Sequence, residues 1–201
     1  MGWWLTAPAR LYPRGMTTGR DEPIAPDTKD WTWVLERPCP ECGLDTRSVG
    51  RSDIPALVAG NAARWGAVLS GPQARVRPEP AVWSPLEYAC HVRDVFRIFD
   101  ERLALMLSED GPHFANWDQD ETAVADRYSE QDPAVVAREL ATAAAAVAAS
   151  FAAVPDDDWG RTGLRGDGSA FTVETLGRYF VHDPEHHLHD VTGSTSWVPS
   201  G

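Results

Sequence analysis

The stretch HDPEHHLHDV, residues 182–191, places four of the chain's six histidines within eight residues and beside three acidic side chains. Imidazole nitrogens and carboxylate oxygens are common ligands of divalent metal ions. Two pairs with a spacing of one helical turn stand out as candidates in this stretch: His182 with His186, and Asp183 with His187. The stretch therefore predicts a metal site, and the helix face on which each pair lies should decide between the two pairs.

The apolar residues of this last helix define the face that should point into the core. On a helical wheel of ~100° per residue with His182 at zero, they cluster between about 120° and 180°. His187 falls near ~140° and Asp183 near ~100°, whereas His182, His186 and His189 fall near ~0°, 40° and −20°. We therefore expect the first two to face inward and the other three to form a solvated polar face. The apolar residues used are Val173, Leu176, Phe180 and Val191.

A third ligand should come from another helix, because one helix rarely offers three converging groups. His91 lies at the edge of the apolar face of a helix that begins at Ser84-Pro85-Leu86-Glu87. Two imidazoles and one carboxylate leave coordination positions open for water or substrate, as in catalytic sites. The predicted metal ligands are His91, Asp183 and His187, and the pattern identifies no catalytic acid or base. A hydrogen-bonded core histidine and a plain Asp–His pair remain the alternatives.

Pro184 keeps the second histidine pair open as an alternative. A proline inside a helix removes one hydrogen bond and clashes with the carbonyl group four residues earlier, which often kinks the helix. A kink at Pro184 could turn His182 and His186 inward, where they would replace Asp183 and His187.

The segment Cys39-Pro40-Glu41-Cys42-Gly43 resembles half of a zinc ribbon. Cys90 is the only other cysteine, so one chain cannot form a four-cysteine site. We therefore expect a reduced surface turn or a redox-labile pair at Cys39 and Cys42. For Cys90 itself, the helical wheel predicts a buried packing position that points away from the His91 site.

The connection between the second and third helical segments, GPHFANWDQDETAVADRYSEQ, is longer than most helix connections. Long loops of this kind are often functional, or they contain a short helix. A solvated acidic loop is the simplest interpretation. As alternatives, Asn116 and Trp117 could contact substrate from a lid, and Arg127 and Tyr128 could bind an anionic group.

Four long helical segments must position the predicted ligands, and no segment of useful length has the period of a β-strand. The sequence therefore predicts an all-α fold, a four-helix bundle with an irregular N-terminal extension. Start signals for the four helices lie at Asp53, Ser84, Asp132 and Thr172. The predicted organisation is a disordered tail over 1–29, a Cys-containing segment over 30–52, the bundle over 53–192 and a C-terminal tail over 193–201.

The charge balance limits the classes of partner. The formal net charge is −12 and Lys29 is the only lysine, so there is no basic surface to neutralise the phosphates of a nucleic acid. The sequence contains no run of eighteen or more apolar residues that would predict a membrane span. Its first residues also lack the apolar region of a signal peptide. We expect a cytoplasmic protein that binds neither nucleic acid nor membrane, with Met16 as a second candidate start.

The segments WSPLEYACHVRDV, residues 83–95, and HDPEHHLHDV together resemble the DinB-like (YfiT-like) four-helix metalloprotein superfamily. The likeness extends to its actinobacterial thiol-dependent branch, which contains mycothiol-dependent maleylpyruvate isomerase. It covers roughly residues 53–191. The resemblance implies a ligand from the second helix at His91 and two from the last helix at Asp183 and His187. Many members have histidine at the position of Asp183, and the isomerase branch has a carboxylate.

The resemblance also implies one divalent ion, zinc or nickel, and a low-molecular-weight thiol as cosubstrate. We therefore expect a metal-dependent enzyme, a mycothiol-type S-transferase or isomerase that acts on a small electrophile. A metal-dependent hydrolase is the alternative within the enzymes, since the same open site can activate water. A non-catalytic, stress-related metal-binding bundle is the alternative outside them. The sequence leaves open the substrate and whether the chain forms a homodimer.

Overall fold

The structure is a computed structural model that describes residue 24 and residues 29–197. Most of the predicted N-terminal tail and the end of the predicted C-terminal tail lie outside the described residues. Four long helices form the predicted all-α bundle, and a fifth, short helix lies in the long connection. The helices are α1 (Asp53–Ser70), α2 (Pro85–Ser108), α3 (Gln119–Ala125), α4 (Pro133–Ala152) and α5 (Val173–Thr192).

Side chains at the helix starts satisfy backbone amides that have no partner within the helix. At the start of α2, the Ser84 hydroxyl accepts from the Glu87 amide and the Glu87 carboxylate accepts from the Ser84 amide, which confirms the predicted capping box. The Asp132 carboxylate accepts two amides at the start of α4. Thr172 caps α5 in the same way as Ser84 caps α2. The starts of these three helices therefore follow from local chemistry, whereas the predicted N-cap Asp53 is the first residue of α1, whose N-cap Ser52 makes no side-chain capping hydrogen bond.

Helices α1 and α2 each pack against both α4 and α5. Small buried residues of α4, such as Ala143 and Ala144, allow its neighbours to approach closely. Phe180 of α5 lies at the centre of the core, where its ring stacks on Phe99 of α2 at 4.9 Å and on Phe151 of α4 at 5.6 Å between centroids. This packing fixes the rotation of α5 and therefore the direction of its polar residues.

By length and composition, α4 is also the one helix in the described part of the chain that could cross a membrane, with a mean hydropathy of 1.4. One such helix is weak evidence for a membrane span. The apolar residues of α4 contribute to the bundle core, with Leu140, Val147 and Phe151 almost fully buried.

A small three-stranded sheet closes one end of the bundle, and the sequence analysis did not predict it. Strand β1 (His113–Phe114) pairs in parallel with β2 (Thr162–Arg165), which pairs antiparallel with β3 (Ala170–Thr172). Strands of this length are too short for an alternating pattern to be recognised. Strands β2 and β3 lie directly before α5 in the chain, and β2 carries Arg165, which lines the cavity at the candidate site.

The N-terminal segment consists of two short 3-10 helices, Trp31–Leu35 and Thr46–Ser48, joined by the turn that contains Cys39 and Cys42. Both 3-10 helices contact α5. The segment therefore covers a face of α5 that does not point into the bundle. This covering decides the environment of His182 and His186.

Candidate metal centre

Three side chains from two helices converge at one end of the bundle. His91 from the second turn of α2 places its Nε2 atom 3.2 Å from Oδ1 of Asp183 on α5. Nε2 of His187, one turn further along α5, lies 3.8 Å from the same carboxylate oxygen. One ligand atom from each of the three residues lies within 4.8 Å of the others. The structure thus brings together the three residues that the sequence analysis selected as metal ligands.

Helix α5 reaches this site without a break at Pro184. The helix is continuous from Val173 to Thr192. The carbonyl group of Pro184 accepts a hydrogen bond of 2.7 Å from the buried side chain of Asn61 on α1, which ties this turn of α5 to its neighbour. Helix α5 thus continues through Pro184 with Asp183 and His187 on the side that faces His91, and the choice of metal ligands between the two pairs stays a prediction.

Electrostatic interactions keep Asp183 ionised. Burial alone would raise the pKa of this carboxyl group, but the adjacent His91 and His187 hold the pKa well below its usual range. The Asp183 side chain is 32% exposed and lines the cavity. On the other side of His187, Asp190 lies 3.1 Å from Nδ1. A carboxylate on the far nitrogen of an imidazole is the arrangement that orients many metal-bound histidines.

The donor set fits a divalent metal ion. Two imidazole nitrogens and one ionised carboxylate oxygen form three ligands, which leaves at least one position open. His91 is fully buried. Its Nε2 atom contacts Asp183, whereas its Nδ1 atom has no hydrogen-bond partner among the described residues. A buried imidazole held in this way is pre-organised to place Nε2 at a fixed point.

Aromatic rings enclose the histidines. Trp117, from the long connection after α2, stacks on His91 with a centroid separation of 5.2 Å and an interplanar angle of 10°. Trp83 lies 5.4 Å from His91 on another side, and Tyr88 lies 5.0 Å from His187. Trp117 was predicted to contact substrate from a lid, and in the structure its ring stacks on His91, one of the predicted metal ligands. These rings exclude water and lower the local dielectric around the site.

A cavity of about 740 Å³ opens over Asp183 and His187. Asn116 and Trp117 line it from the long connection, as the lid interpretation of that connection expected. Arg102 of α2 and Arg165 of β2 lie on its wall. Arg165 is paired with a carboxylate, whereas among the described residues Arg102 forms no salt bridge and donates to the Ala115 carbonyl at 3.2 Å. The wall of the cavity thus carries one guanidinium, that of Arg102, with no carboxylate at salt-bridge distance among the described residues, although acidic side chains such as Asp167 also line the cavity.

The anion-binding residues suggested by the sequence are wrong. Tyr128 is almost fully buried, and its hydroxyl donates a 2.6 Å hydrogen bond to Asp94 inside the protein. Arg127 is exposed and pairs with Glu130 at 3.5 Å, and it does not line the cavity. Both residues were selected because a basic and a phenolic side chain occur together in a long loop. Arg102 carried no such signal, because it lies within a regular helix.

The solvated face predicted for the remaining histidines of α5 is also wrong for two of them. His182 is 4% exposed and His186 is 6% exposed, because the N-terminal segment packs over them. Cys39, expected in a surface turn, is 1% exposed and lies 3.7 Å from Nδ1 of His186. The wheel gave the correct direction for both histidines. The prediction of a solvated face was wrong because the N-terminal segment, and not solvent, covers this side of α5.

Comparisons with known proteins agree with the fold. The family model of the DinB superfamily matches residues 63–191, which is more than half of the chain. The chain belongs to the DinB superfamily. No curated protein sequence matches it significantly.

Among solved structures, this DinB protein resembles YfiT from Bacillus subtilis, with a TM-score of 0.59 and 19% identity. The match covers 81% of this chain and 82% of YfiT, which is described as a probable metal-dependent hydrolase with an unusual four-helix bundle topology. At this level of identity, the likeness establishes the fold. The mycothiol-dependent branch stays a prediction.

Proposed function

We propose that this DinB protein is a divalent-metal-dependent enzyme that transfers a low-molecular-weight thiol to a small electrophile or isomerises it. The observation that carries the proposal is the convergence of His91, Asp183 and His187 below a cavity of about 740 Å³. Zinc or nickel is the ion that the family resemblance implies, and a site of two imidazoles and one carboxylate can bind zinc. A bound ion supplies the Lewis acidity that lowers the pKa of a thiol or water near it.

The protein residues position and shield this chemistry. His91 and His187 offer Nε2 atoms from two different helices, and the Asp183 carboxylate lies between them. Asp190 orients His187 through its Nδ1 atom. Trp117 and Trp83 cover His91 and keep bulk water from the ligands. A nucleophile placed here would be activated in a partly dry environment, where electrostatic effects are stronger than in water.

The cavity wall suggests the charge of the substrate. Burial lowers the pKa of Arg102 to about 10, so the guanidinium remains protonated at neutral pH, and the Asp167 carboxylate that acts on it lies beyond salt-bridge distance. A buried cation of this kind favours an anionic ligand. Arg102 lies eleven residues after His91 on α2, about 16 Å along the helix axis. We therefore expect an extended substrate, or a substrate and thiol together, with a carboxylate directed at Arg102.

A metal-dependent hydrolase is the second candidate, and the description of YfiT favours it. The same open site would serve either reaction, since water and a thiol compete for the same position. A non-catalytic metal-binding bundle would need a closed ligand shell, whereas these three ligands leave a position free. The cytoplasmic location and the absence of nucleic-acid and membrane partners stay predictions. A homodimer likewise stays a prediction.

Metal analysis of tag-free protein tests the proposal. Replacing His187 with alanine removes one of three ligands and should abolish stoichiometric metal binding at this site. His189, on the same turn of α5 but outside the cluster, provides the matched control, and His189→Ala should retain the metal. Equal loss in both variants, or no reloading of the apo wild type with zinc or nickel, would show that the three residues do not form a metal site.

The two reactions can be separated with one set of substrates. Metal-loaded wild type is incubated with small carboxylated electrophiles and a thiol, and consumption of the thiol is measured alongside hydrolysis of the same electrophile. The thiol-transfer proposal predicts metal-dependent thiol consumption that disappears in His187→Ala. Isomerisation would consume the substrate without net loss of thiol but would still require it. Metal-dependent turnover that is unaffected by omitting the thiol would instead establish the hydrolase.

A further inference from the structure

A second cluster of ligand-type side chains lies on the adjacent face of α5, about 100° round the helix from the candidate metal centre, and its two histidines also line the cavity. It consists of Cys39, Cys42, His182 and His186, and one ligand atom from each lies within 4.8 Å of the others. We propose that this Cys2His2 cluster binds a zinc ion that holds the N-terminal segment on α5. The proposal uses none of the residues His91, Asp183 and His187, so it does not depend on the proposed function.

The backbone between the two cysteines has the form of a metal-binding turn. The Gly43 amide donates to the Cys39 carbonyl at 2.9 Å, and the Cys39 amide donates to the Leu44 carbonyl at the same distance. Gly43 has a φ of +78°, a left-handed conformation that glycine adopts without strain. This tight turn directs both thiols to one side. Neither cysteine forms a disulfide, so both sulfur atoms are available as ligands.

The contact between Cys39 and His186 has the length expected for two ligands of one zinc ion. A sulfur at about 2.3 Å and a nitrogen at about 2.05 Å from zinc, at a tetrahedral angle, are separated by about 3.6 Å. The Cys39 Sγ to His186 Nδ1 distance is 3.7 Å. The other ring nitrogen of His186, Nε2, lies 3.3 Å from a Glu41 carboxylate oxygen. This pairing keeps the proton on Nε2 and leaves the lone pair of Nδ1 for the ion.

His182 supplies independent support, because the protein alone does not satisfy it. The residue is 4% exposed, and its Nε2 atom has no hydrogen-bond partner among the described residues. An unpartnered buried polar atom is costly and calls for an explanation such as a bound ion. Its position one turn before His186 places the two rings side by side, with centroids 5.2 Å apart.

The composition and burial of the cluster indicate a structural ion. Two thiolates and two imidazoles complete a tetrahedral shell, so no position remains for substrate, unlike the three-ligand site. The two thiolate charges balance a divalent cation. The Trp31 ring lies 5.0 Å from His186 and 5.4 Å from His182, and it covers the cluster from the outer side.

The placement explains how a segment with little secondary structure of its own is held. The segment buries a few apolar side chains, such as Val34, Leu44 and Val49, and a bound zinc would add directly to the folding free energy. The ligands of the two clusters alternate along α5 as His182, Asp183, His186 and His187. Glu41 and Trp31 also line the cavity. A zinc ion here would therefore fix one wall of the cavity and the turn of α5 that carries the other metal ligands.

X-ray absorption and cobalt substitution on tag-free wild-type protein test the site without any variant. Zinc absorption should show sulfur ligands at about 2.3 Å. Because the three-ligand site contains no sulfur, these ligands can come only from the cysteines. Cobalt-loaded protein should show sulfur-to-metal charge-transfer absorption in the near ultraviolet. The proposal would be overturned if reloaded protein showed only nitrogen and oxygen ligands and no sulfur-to-metal charge-transfer absorption. This outcome does not depend on whether the three-ligand site binds metal.

Variants then locate the ion. Cys39→Ser with Cys42→Ser should lose the sulfur-bound ion, about one equivalent per chain, and should expose the N-terminal segment to faster hydrogen exchange. Cys90→Ser removes the third buried cysteine and should keep the ion. His187→Ala should also keep it, which separates this site from the catalytic proposal. If mild oxidation of the zinc-treated wild type quantitatively forms a Cys39–Cys42 disulfide and no metal is released, the pair is a redox couple and the zinc assignment fails.

Discussion

Asn61 should be the most informative single position for the stability of the turn that carries Asp183. The side chain is fully buried between α1 and α5. Its Nδ2 atom donates to the Pro184 carbonyl at 2.7 Å and to a Glu185 carboxylate oxygen at 3.0 Å. Its Oδ1 atom accepts from the indole nitrogen of Trp65 at 3.0 Å. Both ends of the amide are therefore used, and no water can replace it without repacking.

The cost of Asn61→Leu follows from the partners that it strands. The Trp65 indole N–H, in a residue that is 0% exposed, loses its acceptor, at a cost of about 1–3 kcal/mol. The Glu185 carboxylate loses one donor, worth about 1.5–3 kcal/mol for a charged group. Glu185 keeps its bonds from Ser196 and Trp197, so its loss should lie at the lower end. We expect a decrease in the free energy of unfolding of about 2.5–4.5 kcal/mol.

A double-mutant cycle with Trp65→Phe isolates the hydrogen bond. Phenylalanine removes the indole N–H, so the variant that carries both changes contains no stranded donor. Urea unfolding of chelator-treated protein should show the double variant more stable than the sum of the single effects by about 1–2 kcal/mol, with an unchanged m-value. Additivity within about 0.5 kcal/mol would refute the argument, because it would mean that the two side chains do not interact.

Two further predictions concern the cavity and the acid stability of the core. Arg102→Met should raise the KM for a carboxylated substrate by about 10- to 100-fold, the equivalent of one charge-assisted hydrogen bond, and should leave an uncharged analogue unaffected. Arg97→Met, on the same helix but outside the cavity, is the control, and equal effects on both substrates would contradict the assignment. Burial opposes ionisation of Asp94, but hydrogen bonds from Arg93 and Tyr128 hold its pKa below the usual value. Its stabilising contribution is therefore complete above the unfolded pKa of about 3.9 and is lost as the pH falls through the lower folded value. Asp94→Asn should be less stable at neutral pH and should show a weaker loss of thermal stability below about pH 4. An acid slope equal to that of the wild type would count against this role.

Local chemistry predicted much of the fold because helix starts and helix faces are properties of short segments. Ser84 with Glu87 and the alanine-rich run after Asp132 contain their own helix signals, and the structure confirms both helices. The sheet was missed because its strands are two to four residues long, and because β1 pairs with a strand about fifty positions away in the chain.

The sequence by itself determined which side chains of α5 face the bundle core. Helical periodicity placed Asp183 and His187 toward His91, and the register of α5 depends on apolar contacts that repeat along the same segment.

Only the tertiary structure decided what covers the face of α5 that carries His182 and His186. The contact of His186 with Cys39 joins residues 147 positions apart, and no periodic pattern within either segment encodes it. Two half-sites that each looked incomplete, a CxxC turn and a His-x3-His pair, became one four-ligand cluster when the N-terminal segment packed on α5. Arg102 was likewise one of many helical arginines until the chain closed a cavity around it. Long-range packing creates such sites because it brings together groups whose separate sequence signals are weak.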